Sequence, residues 1–66
     1  MTRYTLTDRS DGEVSFWLHD VRAVLFACST VSVWLEGIQQ PFFVPLPPDT
    51  ARATYGQLMQ AWAEAT

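Results

Sequence analysis

The chain has 66 residues and a net charge of −3, from seven carboxylates against four arginines, with no lysine. That length allows one domain with a thin core, and a hydrophobic fraction of 48% with 17% charged residues excludes intrinsic disorder. The acidity disfavours direct nucleic-acid binding, because no cationic surface gathers phosphate charge, and favours a basic protein surface as partner.

From the first residues the pattern alternates with period two. Tyr4 and Leu6 alternate with threonines, which predicts a strand over residues 3–7. Asp8-Arg9-Ser10-Asp11-Gly12 reads as a hairpin turn, the Asp-Gly pair supplying the positive φ that such turns need. A second strand over 13–18 points Val14, Phe16 and Leu18 one way and Ser15 and Trp17 the other. His19-Asp20 breaks it.

Residues 21–27 are nearly all apolar, as in a central strand covered on both sides. Either Val24 and Phe26 or Leu25 and Ala27 face the core, because a one-residue slip exchanges the two sets. Cys28-Ser29-Thr30 forms the next turn. Over 31–35, Val31, Val33 and Leu35 alternate with Ser32 and Trp34. Glu36-Gly37 opens a further hairpin whose loop ends at Pro41. The last strand, 42–46, turns Phe42, Val44 and Leu46 inward and Phe43 outward. Pro45 cannot donate to a ladder, so this strand lies at an edge or ends there.

Pro47 and Pro48 close the sheet region, and Asp49 or Thr50 caps a helix over 50–64. Ala51, Tyr55, Leu58, Met59 and Trp62 recur at spacings of three and four, which makes one apolar stripe. Gly56 costs the helix about 1 kcal/mol relative to alanine. Burial of Leu58, Met59 and Trp62, at about 1.5–3 kcal/mol each when complete, outweighs it. The expected architecture is α+β: an antiparallel meander of four to five strands with one C-terminal helix packed on one face, in a single domain spanning 1–66.

The residues offer little for catalysis. His19, the one histidine, stands at a turn with no nucleophile placed beside it. Cys28 lacks a neighbouring base and any second cysteine, so neither a nucleophilic thiol nor a disulfide is expected. No metal site, cofactor site or glycine-rich phosphate loop is expected. The start of the chain carries no apolar signal segment, and the run Ala23–Cys28 is too short to cross a bilayer, so the expected location is the cytoplasm.

What remains is surface. A single helix covers one side of the strands, which leaves Trp17, Trp34 and Phe43 on the other unless loops bury them. Tryptophan is enriched at binding hot spots. Asp8, Asp11 and Glu13 gather at the first turn, as a soluble tip or as an acidic contact for a basic partner, while Glu36 lies at the opposite end. These seven residues are the candidate partner contacts. In size, acidity and absence of catalytic groups, the whole chain resembles small phage-encoded inhibitors of bacterial defence systems, the anti-CRISPR type. The resemblance is one of overall character. It implies a non-enzymatic protein that binds a nuclease or nucleic-acid-guided complex in the host cytoplasm, through the acidic turn residues and the outward aromatics. The alternative is a self-associating structural or regulatory subunit, a homodimer built on the exposed sheet face.

Overall fold

The structure, a computed structural model, describes residues 2–65. The alternating segments form β1 (Arg3–Thr7), β2 (Glu13–Trp17), β3 (Val21–Ala27), β4 (Thr30–Leu35) and β5 (Phe42–Pro45), followed by α1 (Ala51–Ala65). All pairings are antiparallel, as expected for an α+β meander closed by one helix. The meander is nevertheless divided. β1 and β2 form a two-stranded sheet, and β3, β4 and β5 a three-stranded one in that order. The break falls at Leu18–Asp20, where one 3-10 turn replaces the simple corner expected at His19-Asp20. The Leu18 side chain, expected to prolong the second strand, is buried inside that turn.

The β1–β2 loop shows why this stretch turns. The Asp8 N–H donates to the Gly12 carbonyl at 2.8 Å, and the Asp11 N–H to the Asp8 carbonyl at 3.1 Å. Asp11 then takes φ 65°, the left-handed position that follows a type I turn in a three-residue hairpin loop. The positive φ thus falls on Asp11 and not on Gly12. Gly12 instead gives room: a Cβ there would stand 2.9 Å from Asp8 Oδ2 and would push that carboxylate aside. At the β3–β4 turn, Cys28 and Ser29 have φ 53° and 59°, the pair of values of a type I′ turn, without the usual Asn-Gly.

The core joins both sheets to the helix. Leu6, Phe16, Val31, Val33, Val44 and Leu58 are all buried within it. The Phe16 ring lies 6.2 Å from Tyr4 and 6.1 Å from Phe42, so it links the small sheet to β5. On the other flank Tyr55 stacks on Phe26 at 4.8 Å and 12°, with the Arg52 guanidinium 6.0 Å from the same ring. This decides the facing of β3: Val24 and Phe26 pack on the core, while Ala23, Leu25 and Ala27 are exposed.

Along α1 the expected stripe is only partly covered. Ala51 and Leu58 are buried, whereas Tyr55, Met59 and Trp62 are half-buried. The full transfer energy therefore applies to Leu58 alone of the three large residues. Thr50 accepts the Thr54 N–H through its carbonyl at 2.9 Å, which makes Thr50 the N-cap. Among the described residues no helix is long and apolar enough to cross a membrane.

Candidate interaction surface

The outer face of the three-stranded sheet follows from its register. Leu25 pairs with Ser32, and Ser32 with Phe43, so the three stand in one row across the strands. Ala23 and Trp34 form the adjoining row on the same face. Leu25 is 53% exposed and Phe43 65%, while Ser32 between them is only 5% exposed. The two large side chains take the solvent and the small one becomes the floor of a shallow apolar trough, since residues directly opposite on one face stand about 4.5–5.5 Å apart. Trp34 is half-buried at one end of it. The helix lies on the opposite face, because Tyr55 of α1 stacks on Phe26, whose side chain points the other way.

The expectation that Trp17, Trp34 and Phe43 share one open face is corrected in two respects. Trp17 belongs to the other sheet, opposite Arg3, with its ring 6.2 Å from His19. It is 42% exposed, but the 3-10 turn after it separates it from the Trp34–Phe43 row. Trp34 is half-buried and not fully outward. Leu25, which the uniform apolar run left with either facing, takes the place of Trp17 in the patch. Ile38, in the loop after Gly37, is also 42% exposed, and loop position gives no period from which its exposure could be read.

The acidic candidates have separate duties. Asp8 Oδ1 accepts the N–H groups of Ser10 and Gly12, both at 2.8 Å, so this carboxylate organises its own loop. Asp11 and Glu13 are exposed beside it. Glu36 pairs with the Arg22 guanidinium across β3 and β4 at 2.5 Å, with both side chains largely in solvent. Its charge is matched within the chain. Of the seven candidates, Trp34 and Phe43 share a surface, Asp8 and Asp11 share a loop with Glu13 beside it at the start of β2, and Trp17 and Glu36 stand apart from both.

The two side chains weighed for catalysis, His19 and Cys28, both lie at exposed turns. His19 Nε2 lies 3.3 Å from Asp20 Oδ1 at the 3-10 turn, with both side chains well exposed. Cys28 is exposed in its turn. Among the described residues no three His, Cys, Asp or Glu side chains are grouped to hold a metal ion. A cleft of about 320 Å³ opens between β1, the loop that follows it and the start of α1, lined by Tyr4, Leu6, Asp8, Arg9, Asp11 and Gln57 among others. Its walls mix apolar side chains and hydroxyl and amide groups with the Arg9 guanidinium and the Asp8 and Asp11 carboxylates. The chain matches no protein-family model, no curated protein and no solved structure.

Proposed function

We propose that this chain is a non-enzymatic binding module that docks a larger macromolecular partner through the outer face of β3, β4 and β5. One observation carries the reading: Leu25 and Phe43, two large apolar side chains more than half exposed, flank the buried Ser32 in a single row. Leaving more than half of each side chain in water forgoes roughly half of the about 1.5–3 kcal/mol that full burial gives, and contiguous apolar exposure on a small protein marks a contact surface. Trp34 at the end of the trough adds a rigid aromatic of the kind that dominates interface energetics.

The net charge of −3 supports a partner with a basic surface, and the exposed Asp11 and Glu13 steer the approach. With the resemblance in overall character, the fuller proposal is an inhibitor or modulator of a nucleic-acid-guided complex, acting in the cytoplasm by occlusion. The test is affinity purification from the host with the wild-type chain, followed by titration of the recovered protein with Leu25→Ser and Phe43→Ser. Each variant should weaken binding by about tenfold or more, as expected for a buried anchor. Unchanged affinity in both variants refutes the docking face.

A further inference from the structure

β3 is an end strand of its sheet, and an end strand presents a row of backbone groups with no partner strand. The turn identifies that row. Cys28 and Ser29 form a two-residue turn with both φ positive, so Ala27 and Thr30 close the hairpin as a hydrogen-bonded pair. By alternation Leu25–Ser32 and Ala23–Trp34 are hydrogen-bonded pairs as well. The N–H and C=O of Val24 and Phe26 therefore point away from β4, along the open edge. Natural edges are blunted by charges, prolines or bulges. Residues 23–27 contain neither charge nor proline, and the irregularity in β3 falls between Val21 and Ala23, at the start of the strand.

This segment is also symmetric in size about Leu25. Alanines stand two residues to either side, at 23 and 27, and the larger Val24 and Phe26 stand next to it. We infer that β3 pairs antiparallel with β3 of a second copy, about a two-fold axis at Leu25. In this register Val24 of one copy exchanges N–H···O bonds with Phe26 of the other, and the reverse. Leu25 meets Leu25 at the closely spaced, non-hydrogen-bonded position, where Cα atoms stand about 4.5 Å apart. Ala23 of each copy faces Ala27 of the other, and methyl groups leave the two leucines room to meet. The contact is isologous and closes on itself. A chain of net charge −3 can meet itself here because the paired segment carries no charge. The product is a six-stranded sheet with the two β3 strands at its centre, and the Leu25–Ser32–Phe43 rows of both copies form one continuous platform. The pairing uses the edge of the sheet and does not depend on the partner-docking role of its face.

Sedimentation velocity from low-micromolar to near-millimolar protein tests it. The wild type should pass from monomer to dimer. Ala23→Lys with Ala27→Lys sets like charges directly opposite in this register and should weaken the dimer roughly tenfold or more. Ala23→Lys with Ala27→Glu sets opposite charges there and should restore it. Amide exchange on the wild type supplies a reading free of substitutions: the Val24 and Phe26 amides should become protected as concentration rises. A wild type monomeric throughout overturns the inference. So does a Lys/Glu variant as monomeric as the Lys/Lys variant, or exchange at Val24 and Phe26 that ignores concentration. None of these results alters the binding expected of Phe43→Ser, so the two proposals fail separately.

Discussion

Replacing Cys28-Ser29 with Asn-Gly should stabilise the protein, and the magnitude follows from the backbone. Both residues hold left-handed φ, at 53° and 59°. For a residue with a Cβ that conformation costs roughly 1–2 kcal/mol. Asn tolerates it better than most side chains, and Gly adopts it without steric cost, though with an entropic charge of about 0.5–1 kcal/mol. The double substitution should therefore gain about 1–2 kcal/mol. The neighbouring bonds survive, because both use turn carbonyls: Thr30 Oγ1 donates to the Cys28 carbonyl at 3.4 Å, and the Leu46 N–H to the Ser29 carbonyl at 2.8 Å. For a domain of this size each kcal/mol moves Tm by about 4–8 °C, so the gain is about 4–16 °C. Thermal unfolding followed by far-ultraviolet circular dichroism under reducing conditions measures it, with Ser29→Ala as the control that keeps the Cβ. A double variant that melts at or below the wild-type temperature refutes the turn geometry. With it falls the register that sets Leu25, Ser32 and Phe43 in one row.

Substitutions at Asp8, Trp34 and Phe43 separate scaffold from surface. Asp8→Ala removes the acceptor of two backbone N–H groups and should lower stability by about 1 kcal/mol, while Asp8→Asn, which retains an Oδ1 acceptor, should lose less; urea midpoints distinguish them. Equal loss in both would mean that the carboxylate charge, and not its acceptor geometry, holds the loop. Trp34→Ser should destabilise by about 1–3 kcal/mol because the ring is half-buried, whereas Phe43→Ser should stay within about 0.5 kcal/mol of wild type. Equal and large losses in the two would place Phe43 in the core.

Most of the local architecture was legible from the residues in order. Periods of two and of three to four depend only on how side chains leave an extended or helical backbone. They placed β1 and β3 at their observed bounds, and β2, β4, β5 and α1 within one residue at each end. They also gave the facing of Phe16, Val33, Val44 and Phe43, because in β2, β4 and β5 apolar and polar or bulky residues alternate against one solvated side. β3 has no such contrast. Its facing was settled only when Tyr55, about thirty positions later, stacked on Phe26 and left Leu25 in water.

The candidate site was legible in part for the same reason. Phe43 and Trp34 carry their parity in the sequence, but their alignment with Leu25 and Ser32 is a matter of register between strands, which the turn at Cys28-Ser29 and the pairing of β4 with β5 determine. The separation of Trp17 arises from a 3-10 turn that withholds β2 from β3, and the choice between continuing a meander and dividing it rests on packing around Leu18 and Phe16. Asp8 looked like a free surface charge because its partners are the N–H groups of its own loop, which no side-chain pattern displays. The amino-acid order by itself determined which backbone each segment prefers and which side is apolar. Only the tertiary structure decided which strands share hydrogen bonds and which apolar sides find a cover, since those energies come from contacts between residues distant along the chain.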